Sequence, residues 1–160
     1  MTQAVHVRIQ DSLVPALLNA LINGGIAYAG FKAQASVPLT LDLISNRQTT
    51  VWGEGVTLTF ALGIILSIIT AKLFARHAVK ADPALAPLVL RPIFPAVAWI
   101  ALGNAIVLFG WFVALAVLWQ RLMGSIDVTP LVASVLVGVL AAVVTIAVEV
   151  RTKRALLRAP

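Results

Sequence analysis

Leu13–Phe31 reads LVPALLNALINGGIAYAGF, and this stretch decides the fold. At about 1.5 Å per residue it reaches roughly 29 Å, enough to cross the hydrocarbon core of a bilayer as a helix. On a 3.6-residue helix Ala16, Asn19, Ala20, Asn23, Gly24 and Ala27 fall on one stripe of small and amide side chains. Such a stripe makes a poor lipid-facing surface. Small residues four apart let another backbone come close, and an amide at bilayer depth gains about 0.6 kcal/mol, at most about 1.7, by bonding to a second helix. The helix is therefore expected inside a bundle, with Ala16, Ala20 and Gly24 as packing positions. A signal peptide is the rival, because Ala27-Tyr28-Ala29 has the small-x-small pattern of a cleavage site. Two asparagines in the apolar core and Asp11 in its flank favour a retained span.

Composition extends this expectation to the whole chain. Of 160 residues 61% are hydrophobic and 11% charged, where a soluble domain has roughly 25% charged. This is the balance of an integral membrane protein. Apolar runs consume most of the length, leaving residues 1–160 as one integral membrane domain with no room for a separate head. The net charge of +6 comes from basic residues at the ends of apolar runs, not interleaved with aromatics on one face. They read as topology signals, and no nucleic-acid partner is expected. The absence of cysteine excludes disulfides, thiolate metal sites and Cys-based redox chemistry.

Ser12 is a candidate N-cap of the first span. Lys32 to Glu54, with Pro38 and Gly53, forms a connection in which the alternating Leu39-Thr40-Leu41-Asp42-Leu43 suits a surface segment or one short strand. A second span covers about 55–75, with Thr59, Gly63, Ser67, Thr70 and Ala71 on a shared face. Its hydroxyls can bond back to the backbone four residues earlier. Lys72 to Arg91 reads as a basic, proline-punctuated turn. The third span, about 94–119, is longer than the hydrocarbon core needs and is expected to tilt, with Asn104, Ala101 and Ala105 as a smaller polar stripe. Thr129 as N-cap and Pro130 in the first turn open the fourth span, about 131–150, where Gly138 is a packing position.

Nine Lys and Arg residues (Arg8, Lys72, Arg76, Lys80, Arg91, Arg151, Lys153, Arg154 and Arg158) lie on one side of this topology and three (Lys32, Arg47 and Arg121) on the other. That asymmetry puts both termini in the cytoplasm. Trp52 and Trp119 then share the outer interface. The second and fourth spans also match at an offset of 75: Thr59 with Ser134, Gly63 with Gly138, Ser67 with Ala142, Thr70 with Thr145, Arg76 with Arg151. The first and third share Pro15 with Pro95 and Asn23 with Asn104, one residue out of step. This is the pattern of a two-hairpin unit repeated in parallel.

Chemistry has few places to reside. No ionisable residue lies near the centre of a span, where one would mark function. Glu54 opens the second helix, where a carboxylate suits the N-terminal dipole, or else Trp52-Gly53-Glu54-Gly55 is a compact element lining an outer vestibule. Glu149 has Lys153 as an i, i+4 partner. With only His6 and His77, neither a haem pair nor a three-ligand zinc site has its ligands. No phosphate loop, nucleophile elbow or close carboxylate pair is present, so neither catalysis nor a cofactor is expected. The buried amides Asn19, Asn23 and Asn104 remain. Either they bond helix to helix, or they line a polar path, with Gly24-Gly25 allowing local unwinding.

Asn19-Ala-Leu-Ile-Asn23-Gly-Gly-Ile-Ala-Tyr28, then Ser36-Val-Pro-Leu39, then a basic loop after the second span resembles a group of uncharacterised small bacterial four-helix membrane proteins, some of them loosely labelled permeases. The resemblance implies a bacterial inner membrane and no particular substrate. The expected architecture is an all-α, four-transmembrane-helix bundle in which the small stripes of helices one, two and four pack on one another and the Trp-bearing third helix partly faces lipid. Two functions compete. One is a homo-oligomeric permease or channel for a small, uncharged or weakly polar solute, with Asn23 and Asn104 near the path. The other is an accessory subunit docking on a larger membrane complex through Ala16, Ala20 and Gly24.

Overall fold

The structure, a computed structural model, describes residues 8–41, 48–81 and 94–158. A 3-10 turn, Ile9–Ser12, leads into α1 (Leu13–Phe31); β1 (Val37–Pro38), α2 (Val51–Ala81), α3 (Phe94–Met123), β2 (Asp127–Val128) and α4 (Pro130–Arg158) follow. All four helices are long and apolar enough to cross a membrane, so the chain is a multi-pass, all-helical membrane protein. The helices run up and down. The start of α1, the end of α2, the start of α3 and the end of α4 meet at one end of the molecule, the terminal end; β1 and β2 lie at the other, the sheet end.

Three helices outrun their apolar spans. Thr50 starts α2 four residues before Gly55 by accepting the Gly53 N–H on Oγ1 at 3.0 Å. Trp52, Gly53 and Glu54 therefore form the first turn of α2 and not a separate loop element. At its other end α2 continues to Ala81, so Lys72, Arg76 and Lys80 stand on a helix rather than in a turn. The rest of that expected turn, with Asp82, Pro83, Pro87 and Arg91, lies outside the described residues. Helix α3 continues to Met123 and is closed by Gly124 at φ 72, whose N–H donates to the Gln120 carbonyl at 2.9 Å. The α4 start matches its signals, Val132 N–H donating to Thr129 Oγ1 at 3.4 Å and Pro130 in first position.

Two local features differ from expectation. Ser12 makes no cap bond; its hydroxyl donates instead to Glu149 of α4. The short strand is Val37–Pro38, paired antiparallel with Asp127–Val128 and extended by Leu39 N–H to the Ile126 carbonyl at 2.8 Å. Asp42 and Leu43 of the alternating run are outside the described residues.

Helix α4 is the centre. It packs along α1 on one side and α2 on another, while α3 packs mainly on α2. Of the most apolar stretch of α4, 44% is buried within the chain, against 11% for α1, which sits at the margin. The α1–α4 seam is a backbone contact. A Cβ on Gly138 would lie 2.9 Å from the Ala20 carbonyl oxygen, and one on Gly24 3.3 Å from that of Ser134. Ala16 is buried in the same seam. Gly63, by contrast, meets α3 rather than α1 or α4, a Cβ there lying 2.7 Å from the Ala105 Cα. Gly55 leaves room for the Phe112 ring and Leu140. Helix α1 runs through Gly24-Gly25 without unwinding.

The sheet end is closed by an apolar cluster of Ala27, Phe31, Val37, Leu39, Val51, Ala133 and Val137. Beside it Trp52 meets the edges of Phe112 and Trp119 at centroid distances of 6.0 and 6.1 Å. Trp99 and Trp111 of α3 project outward, largely exposed on the chain's surface.

Candidate functional site

Among the described residues the amide side chains of the spans fall in two hydrogen-bonded clusters, both of which include residues of α4. In the α1–α4 seam, Asn19 Nδ2 donates to Thr145 Oγ1 at 2.6 Å, and Thr145 donates in turn to the Ala141 carbonyl at 2.7 Å. Asn23 Nδ2 donates to both the carbonyl and Oδ1 of Asn19, at 2.9 and 2.7 Å. Toward the terminal end of the seam Glu149 accepts from Ser12 Oγ at 2.9 Å and pairs with Lys153 at 2.8 Å. Asn19 and Asn23 are only half-buried, and they bracket Ile22, the middle residue of α1. Among the described residues nothing donates to Asn23 Oδ1.

The second cluster joins α2, α3 and α4. Asn104, 3% exposed, donates through Nδ2 to Ser67 Oγ at 2.9 Å and Thr152 Oγ1 at 3.0 Å. Its Oδ1 accepts from Arg151 Nε at 2.9 Å. Ser67 passes its own proton to the Gly63 carbonyl at 2.6 Å. The amide is thus satisfied at both ends by two neighbouring helices, tying α2, α3 and α4 into one buried network. On its outer side opens a cleft of about 390 Å³ lined by Trp99, Ile100, Gly103, Asn104, Arg151, Arg154 and Ala155.

The structure therefore brings Asn19 and Asn23 together and sets Asn104 apart from them, in a different seam. Glu54 is half-buried in the first turn of α2 at the sheet end, far along the helix from Ser67 and the Asn104 cluster. Ala16, Ala20, Gly24 and Gly138 lie in the α1–α4 seam, and Gly63 lies between α2 and α3. Among the described residues no three His, Cys, Asp or Glu side chains converge as metal ligands. What the clusters offer chemically is hydrogen bonding and, at the cleft, two guanidinium groups.

Arg151, Ser67 and Thr152 were not legible as partners of Asn104, nor Arg154 as a neighbour at the same cleft. A signal existed for the arginines, since 151 and 154 are three apart on a helix and share a face, but a basic run after a span reads first as a topology signal. Compared with known proteins, the chain matches no family model, no curated sequence and no solved structure.

Proposed function

We propose that the chain is a non-catalytic protein of a bacterial inner membrane that assembles as a homo-oligomer and forms a permease or channel for a small, uncharged or weakly polar solute. The observation that carries this reading is the half-buried Asn19–Asn23 pair at mid-height of α1, the helix least covered by its own chain. Polar groups at bilayer depth are held facing protein or a water-filled path, because hydrocarbon gives them no hydrogen bonds. A second copy's α1 supplies that cover, and the free Asn23 carbonyl oxygen then faces the seam between copies. Asn104, locked into its own network, acts as a structural anchor and stands outside the path.

Cytoplasmic termini are supported by charge. Lys72, Arg76, Lys80, Arg151, Lys153 and Arg154 all stand toward the terminal end, and only Lys32 and Arg121 among the described basic residues toward the sheet end, apart from Arg8 and Arg158 beside the termini themselves. A two-hairpin repeat is supported by packing. At the offset of 75 Gly63 corresponds to Gly138, and at the slipped offset Ala105 corresponds to Gly24; Gly63 touches Ala105 as Gly138 touches Gly24. The two connecting strands, one from each hairpin, pair antiparallel with each other.

An accessory subunit is the second reading, favoured by the apolar outer face of α1, where Leu17, Leu21 and Ile26 are exposed. The Ala16-Ala20-Gly24 stripe is occupied by α4, so docking would use that outer face. Osmotic flux measurements on proteoliposomes with a panel of small neutral solutes separate the two. The permease reading expects flux above empty liposomes, lost in Asn23→Leu while the assembled species persists. No flux from the wild-type chain, together with co-purification of other polypeptides, supports the accessory reading.

A further inference from the structure

Arg151 and Arg154 lie one turn apart near the end of α4, exposed at the cleft that Trp99, Gly103 and Asn104 complete. Among the described residues neither guanidinium makes an ion pair. The nearest carboxylate along the helix, Glu149, is taken by Lys153 and by Ser12 on the α1 side of α4. Arg151 is moreover held in place: the buried Asn104 oxygen takes its Nε–H at 2.9 Å, and among the described residues its two terminal nitrogens have no partner where the side chain lines the cleft. A guanidinium fixed in this way is arranged to grip a phosphate with parallel hydrogen bonds.

Depth and shape say what carries the phosphate. Arg151 lies 21 residues along α4 from Pro130, about 32 Å, one hydrocarbon thickness away. Trp99, 74% exposed, stands near the start of α3, where tryptophan marks headgroup level. The cleft thus sits at the membrane interface, with a volume inside the roughly 300–1,000 Å³ range of small-ligand sites. Gly103 and Gly110, seven apart on one face of α3, each have open space where a side chain would stand. Between them stand Ile106 and Val107, apolar side chains exposed on the membrane-facing surface of α3.

The geometry points to a phosphate-ester site at this cleft, filled by the headgroup of an anionic phospholipid. Arg151 and Arg154 hold the phosphate, Trp99 flanks the glycerol region, and the acyl chains lie along the exposed apolar face of α3. This goes beyond the permease reading and does not depend on it.

The test uses the full chain in detergent, stripped of lipid, then equilibrated with equal amounts of phosphatidylglycerol and phosphatidylcholine; retained lipid per chain is measured by mass spectrometry. Wild type is expected to retain phosphatidylglycerol over phosphatidylcholine, and Arg154→Gln to lose roughly tenfold of that retention, the scale of one charge-assisted hydrogen bond. Arg121→Gln, an equal loss of charge at the sheet end, is expected to retain lipid as wild type does. Arg151→Gln also disturbs Asn104, so Arg154→Gln and Trp99→Ala decide the matter. Equal retention of the two lipids, or Arg154→Gln indistinguishable from wild type, overturns the proposal. So does a chain that binds inorganic phosphate with no preference between lipids, because the source is then a soluble anion.

Discussion

Asn104 shows most clearly how a single side chain holds three helices. It donates to α2 and α4 and accepts from Arg151, so Asn104→Leu removes three interhelical bonds at once. At about 0.6 kcal/mol each, the substitution should cost roughly 2 kcal/mol in a denaturation titration in mixed micelles. Thr59→Val is the contrast. Thr59 is as deeply buried but bonds only to the Gly55 and Val56 carbonyls of its own helix, so its loss should cost less than about 0.5 kcal/mol. Equal costs for the two would mean that the Asn104 network holds nothing together. That an amide would sit on this stripe was legible from its small neighbours Ala101 and Ala105. Its partners were not, because Ser67 and Arg151 are 37 and 47 residues away in the chain. Periodicity reports which face a residue occupies and is silent about what lies opposite. The same holds for Ser12, whose place before an apolar run fits a cap, while its actual partner, Glu149, is 137 residues distant.

Among the elements, the glycines separate contact from open surface. A Cβ on Gly63 would lie 2.7 Å from the Ala105 Cα and one on Gly138 2.9 Å from the Ala20 carbonyl; both neighbours are backbone and cannot swing aside. Gly63→Ala and Gly138→Ala should each destabilise the fold by roughly 1–3 kcal/mol, the usual cost of overpacking. Gly25 meets nothing, so Gly25→Ala should be neutral or gain up to about 1 kcal/mol of helix propensity. Thermal unfolding of the three variants side by side checks this. If Gly138→Ala is as stable as Gly25→Ala, the α1–α4 backbone contact is wrong. Here the sequence was informative about which residues are small and poor at assigning their partners. The Ala16-Ala20-Gly24 stripe needed a close neighbour, and Gly63 needed one equally, but nothing in either helix said that the first lies on α4 and the second on α3. Helix ends depart from the apolar spans for a related reason. Hydropathy marks where lipid contact stops, whereas backbone pairing and caps such as Thr50 and Gly124 mark where the helix stops.

The whole molecule is built around α4, with α1 attached along one side and otherwise bare: Leu13, Leu17, Leu21, Ile22 and Ile26 are all more than half exposed. The membrane class, the number of spans and the up-and-down order were legible from composition and four apolar runs, because these follow from the bilayer's thickness and its intolerance of unpaired backbone. Which helix would be central was not, since all four carry small residues and α1 carries the most polar stripe. Under the proposed function a second copy docks where Asn19 and Asn23 lie half-buried, at mid-height on the helix that its own chain covers least. The most direct measurement is native mass spectrometry of the protein taken from its own membrane with surrounding lipid, at native expression. A homo-oligomer of this chain is the expected species. A lone monomer, or a complex in which the chain occurs once among other polypeptides, would contradict the account.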